Sequence, residues 1–89
     1  MVNRVPRNEH SVEIKRILRV AVAKRQAKAV AVDCEVVPSA LTHWTSDLDD
    51  SCLPVDVLPV FMASTGDIAI LHYLAAQAGM RLVPIEEVA

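Results

Sequence analysis

The sequence predicts an all-α fold of about five short helices, two of them joined as a helix-turn-helix. Three observations carry that expectation. Apolar residues recur at spacings of three and four through most of the chain, which is the pattern of a helix with one buried stripe. Prolines and glycines are few and fall between those stretches, where helix starts and stops require them. Hydrophobic residues make up 53% of the chain, yet Phe, Trp and Tyr occur once each, so the core must be built from small and aliphatic side chains. With 89 residues there is room for one core and no more.

Residues 1–10, with Arg4, Pro6 and Arg7, read as a flexible basic arm ahead of a helical domain over 11–79 and a tail over 80–89. The first helix is expected from Ser11, whose hydroxyl can cap it. Ile14, Ile17, Leu18, Ala21 and Val22 form its buried stripe, and Lys15, Arg16 and Arg19 are placed on the outer side. Gln26 to Cys34 is a second, short helix. Pro38 opens a third that runs to Ser46, because a proline in the first turn lacks only an N–H that would have no partner there. Asp47 to Ser51 is a polar loop. A fourth helix carries Val57, Leu58, Phe61 and Met62, with Pro59 tolerable only in its first turn. Gly66 ends it, and Asp67 caps a fifth helix over Ile68 to Ala78, closed by Gly79. This last helix is apolar nearly all round, which points to an oligomer contact through Ile70, Tyr73 and Leu74, with Leu82 beside them. Leu82 and Val83 suggest a short extended piece.

The net charge is −2, but the charge is segregated. Residues 1–28 hold eight cations and two acids, a local charge of +6; residues 29–89 hold Arg81 and nine acids, a local charge of −8. Such a division can turn one basic face toward a polyanion. Two cysteines, Cys34 and Cys52, make no disulfide framework, and neither a signal peptide nor a membrane span is expected, so the reading is a cytoplasmic protein. His10, His43 and His72 are isolated, no nucleophile motif or glycine-rich phosphate loop occurs, and the metal ligands lack a short chelating pair. Neither enzyme activity, nor a metal, nor a cofactor is therefore expected.

The twenty residues from Ala27 to Ser46 carry the spacing of a helix-turn-helix. Ala31 is small where a second helix must cross, and Val36, Leu41 and Trp44 point into the shared core and fix the crossing. Val37, Ser39, Thr42, His43 and Ser46 are left outward, on the side that could meet base edges or phosphates. Lys24, Arg25 and Lys28, near the start of the second helix, are placed to meet phosphates. Glu35 stands where such turns usually hold a left-handed glycine, at a cost of about 1 kcal/mol if that geometry is kept.

The run from Ala27 to Trp44, with Leu53-Pro54-Val55-Asp56-Val57-Leu58-Pro59 and the segment from Thr65 to Ala75 that opens Thr-Gly-Asp, resembles the small regulatory proteins of temperate phages, the CII-like regulators. The resemblance spans about residues 11–83 and implies a lambda-repressor-like DNA-binding domain. It further implies a homodimer or higher oligomer that binds double-stranded DNA near its own gene in a bacterial host. Ser39, Thr42 and His43 would then read the operator. The competing expectation is a helical adaptor, in which the acidic second half binds RNA polymerase or another regulator and the same fold never touches DNA.

Overall fold

The computed structural model describes residues 7–87. Its elements in order are α1 (Arg7–Ala23), α2 (Ala27–Asp33), α3 (Pro38–Thr45), α4 (Leu58–Thr65) and α5 (Ala69–Gln77), followed by a single 3-10 turn at Ile85–Glu87. Among the described residues there are five α-helices and no strand. Leu82 and Val83 belong to no helix or strand, and the chain leads from them into that 3-10 turn.

The expected start of the first helix is corrected. α1 begins at Arg7, so Arg7 to His10 are helical and Ser11 is an interior residue. The cause is tertiary: His10, one turn in, hydrogen-bonds the Tyr73 hydroxyl of α5. The two rings meet edge to face, 5.8 Å apart at 76°. Of the proposed arm, residues 1–6, including Arg4, lie outside the described residues.

The core is one cluster to which all five helices contribute. Ile17, Leu18 and Ala21 come from α1, Val30 and Ala31 from α2, Leu41 from α3, Phe61 from α4 and Ile70 from α5. α1 is the spine, touching α2, α3 and α5, while α2 packs on α3 and α4. Val36, Trp44, Leu58, Met62 and Tyr73 close over the cluster as half-buried flanks. The structure corrects the sequence at Lys15. Expected on the outer side, it is among the most buried residues of the protein, 2% exposed.

Helix ends follow the punctuation. Pro38 occupies the first turn of α3 and Pro59 the first turn of α4. α4 stops at Gly66, in the left-handed conformation with φ 69°, whose amide donates to the Met62 carbonyl. The Asp67 carboxylate then accepts from the Ala69 amide at 2.7 Å, which satisfies a free N–H at the head of α5. α2 ends in a full Schellman motif: the Val36 amide donates to the Ala31 carbonyl and the Glu35 amide to that of Val32. This closure needs a left-handed residue, and Glu35 supplies it at φ 57°. The left-handed geometry is thus kept without a glycine.

Candidate nucleic-acid interface

α3 has an inner and an outer face. Leu41 is 1% exposed in the core and Trp44 packs half-buried against it. Ser39, Thr42 and His43 are exposed, Ser46 is half-buried, and Val37 leads into the helix uncovered. Thr42 turns its hydroxyl back to the Pro38 carbonyl at 3.2 Å, a local bond that an exposed threonine exchanges readily. Ser46 accepts from the Leu48 amide at 3.2 Å, so its oxygen serves the loop that follows.

That loop is held from beneath. The Lys15 ammonium donates to the carbonyls of Ser46 at 2.7 Å, Asp49 at 2.6 Å and Ser51 at 2.6 Å, with the His43 carbonyl further off at 3.4 Å. Three N–H groups meet three short acceptors, which exhausts the donors of an ammonium. The charge is buried without a carboxylate, solvated by loop carbonyls and by the negative end of α3. The loop in turn positions Asp49. Its carboxylate accepts from the Ser51 amide at 2.7 Å and meets His43 Nδ1 at 2.5 Å. The hydrogen bonds from the Ser51 amide and hydroxyl, with the nearby His43, hold the Asp49 carboxyl down at about 2.

The expected phosphate-binding cations are placed differently. Lys24 pairs with the buried Asp67 at 2.6 Å. Arg25 pairs with Asp33 at 2.6 Å and donates to the Ser64 carbonyl at 2.9 Å, and the Ser64 hydroxyl donates to the same Asp33 at 2.6 Å. Arg19 bridges Asp47 at 3.1 Å and the Thr45 carbonyl at 2.8 Å. The basic first third of the sequence is therefore partly neutralised by acids that the fold brings back to it. Lys28 is exposed at the head of α2 with no ion pair among the described residues.

The residues expected at an oligomer contact do not share one surface. Ile70 is 4% exposed and belongs to the protein's own core, while Leu74 is 41% exposed on the outer side of α5. Tyr73 is half-buried and bonded to His10; burial, with Glu13 nearby, pushes its hydroxyl above the usual phenol range. Leu82 is half-buried in the irregular segment. Cys34 and Cys52 are free thiols; burial first, then the neighbouring Asp33, pushes the Cys34 thiol up. Among the described residues no three His, Cys, Asp or Glu side chains are grouped to hold a metal, and no helix is long and apolar enough to cross a membrane.

Two residues of this region were missed by the sequence reading: Lys15 and Asp49. A signal for Lys15 existed. It stands three and seven residues before Leu18 and Val22, on the edge of the buried stripe rather than opposite it. Asp49 left no comparable mark, since one acid in an acidic loop is indistinguishable from its neighbours. No protein-family model, no curated protein and no solved structure matches the chain.

Proposed function

We propose that this chain is a DNA-binding transcription regulator of the CII-like temperate-phage type, acting inside a bacterial host as a homodimer or higher homo-oligomer. The observation that carries the reading is the two-faced α3. Leu41 and Trp44 lock it to α2 through Ala31 and Val36, and Ser39, Thr42 and His43 stand together in solvent, the division of labour of a recognition helix in a helix-turn-helix. Lys28 offers a phosphate contact at the head of α2. Lys24 and Arg25 could join it only by sharing themselves with Asp67 and Asp33.

The test is an electrophoretic shift with a duplex taken from upstream of the protein's own gene. Thr42→Ala combined with His43→Ala should weaken binding at least about tenfold, since two outward readers are lost. Affinity should also fall steeply with salt. Binding indifferent to both would remove the reading. Self-association should run through Leu74 rather than Ile70: Leu74→Asp should yield a folded monomer by light scattering, whereas Ile70→Asp buries a charge in the core and unfolds the chain.

A second reading, a helical adaptor for RNA polymerase or another regulator, is favoured by one specific observation. Asp47, Asp49 and Asp50 follow directly on α3, and Arg19, Lys24 and Arg25 are already engaged by carboxylates. Such a surface repels phosphates and suits a basic protein face. Retention of a partner by the Thr42, His43 double variant, with no duplex shift by the wild type, would select it.

A further inference from the structure

Resting on the reading of α3 as a DNA-recognition helix, we propose that Lys15 and Asp49 are positioning residues that fix which ring nitrogen of His43 faces outward. In this state His43 offers Nε2 as a hydrogen-bond acceptor for the amino group of adenine or cytosine in a major groove.

The chain of contacts starts in the core. Lys15 is rooted in α1, and its ammonium binds the carbonyls of Ser46, Asp49 and Ser51 at 2.6–2.7 Å. The loop therefore cannot drift relative to the end of α3, where the same ammonium also approaches the His43 carbonyl. The Asp49 carboxylate consequently meets His43 Nδ1 at 2.5 Å on an otherwise exposed ring. Near neutral pH that carboxylate is ionised, held at about 2 chiefly by Ser51. An ionised carboxylate only accepts, so Nδ1 must carry the hydrogen and a neutral ring leaves Nε2 with its lone pair.

A free histidine side chain favours the opposite tautomer, so the arrangement is imposed rather than intrinsic. Asp49 meets the ring itself, Lys15 from α1 reaches the His43 carbonyl, and Arg19 from α1 is joined to Asp47 and the Thr45 carbonyl; α3 adds no other charged side chain. In the major groove, N6 of adenine and N4 of cytosine present amino donors, which an acceptor Nε2 matches. Guanine N7 and O6 present acceptors, which it does not.

Two measurements test this, one without DNA. Nitrogen NMR of the free protein with the ring in its neutral form should show His43 predominantly as the Nδ1–H tautomer. The signature should revert toward Nε2–H in Asp49→Ala, a change at a half-buried loop residue outside the core cluster. In the wild type, the Lys15 ammonium should give a slowly exchanging resonance coupled to the carbonyl carbons of Ser46, Asp49 and Ser51. A predominant Nε2–H form in the wild type, an Asp49→Ala spectrum unchanged from it, or a rapidly exchanging, uncoupled ammonium would overturn the positioning chain.

The second measurement uses the upstream duplex. Removing a carboxylate beside DNA should tighten binding if Asp49 merely repels phosphates, and Asp50→Ala should do so. Asp49→Ala should instead weaken binding about tenfold, because a reader loses its orientation. Tighter binding by Asp49→Ala would refute the role in recognition. If the wild type fails to bind any duplex, the DNA reading falls and takes the assignment of Nε2 to a base edge with it, while the NMR result still decides whether Asp49 sets the tautomer.

Discussion

Two polar knots lie along α1, and they solve opposite problems. At Lys15 the fold buries a cation, 2% exposed, and surrounds it with backbone carbonyls. Near the end of the same helix it buries an anion, Asp67, 6% exposed, and surrounds it with the Lys24 ammonium and the Ala69 amide. The first knot ties α1 to the end of α3 and its loop; the second ties α1 to the head of α5. The difference lies in what each partner can do. Carbonyls neither titrate nor leave, whereas a carboxylate gains a proton in acid and an exposed ammonium is screened by salt. The α3 side should therefore be rigid across conditions, and the α5 side should be the part that yields.

The largest expected effect is at the cation. Lys15→Met keeps most of the stem but takes the only strong donor from the Asp49 and Ser51 carbonyls and leaves the Ser46 carbonyl with just the 3.3 Å bond from the Asp49 amide. It should cost about 3 kcal/mol in urea denaturation. The loop over Ser46 to Ser51 should lose amide protection well before the core does. If Lys15→Met proves as stable as the wild type, water or the neighbouring chain satisfies those carbonyls, and the contrast between the knots disappears.

At the anion the expected loss is smaller and depends on pH. Asp67→Asn should cost about 2 kcal/mol at neutral pH, since the pairing with Lys24 is lost while the amide oxygen can still accept from Ala69. The bond to Lys24 first, then that to Ala69, holds the Asp67 carboxyl below its ordinary 3.8. A depressed carboxyl stabilises the fold fully above the ordinary value, and that contribution is lost as pH falls toward the folded-state value. Wild-type stability should thus decline below about pH 4, and the decline should be shallower in Asp67→Asn. Identical acid profiles for the two proteins would show that Asp67 does not carry the acid sensitivity. Asp49, with its carboxyl at about 2, and Glu13, lowered by the Arg16 side chain, shift in the same sense. Both are open to solvent, and their share is correspondingly small.

What was legible in the sequence follows from whether the cause is local. The helix boundaries at Pro38, Pro59 and Gly66, the capping oxygen of Asp67 and the inward set of Ala31, Val36, Leu41 and Trp44 all depend on residues a few positions apart, and all could be read in advance. The outward placement of Ser39, Thr42 and His43 follows from the same periodicity. What could not be read depends on tertiary pairing. α1 extends back to Arg7 because His10 finds Tyr73, 63 residues away. Lys24 and Arg25 meet Asp67 and Asp33 rather than open solvent. Ile70, one of several apolar residues around α5, faces inward only because α1 lies there. A segregated charge pattern in a sequence does not survive as a segregated surface when the fold closes acids onto bases.

The smallest effect sharpens the comparison from the turn between α2 and α3, which neither knot reaches. Glu35 and Gly79 close their helices by the same pair of bonds: Val36 to Ala31 and Glu35 to Val32 in one, Met80 to Ala75 and Gly79 to Ala76 in the other. Both residues are left-handed, at φ 57° and 74°. Gly79 adopts that conformation freely, while Glu35 carries a Cβ against the following carbonyl. Glu35→Gly removes the clash but also loosens the unfolded chain, so the net gain should be only about 0.5 kcal/mol. Glu35→Ala, which keeps the Cβ, should bring no gain beyond its lost charge. Chemical denaturation of the pair separates the two contributions, and a loss of stability in Glu35→Gly would mean that the glutamate side chain supports the turn in some way that its backbone geometry does not account for.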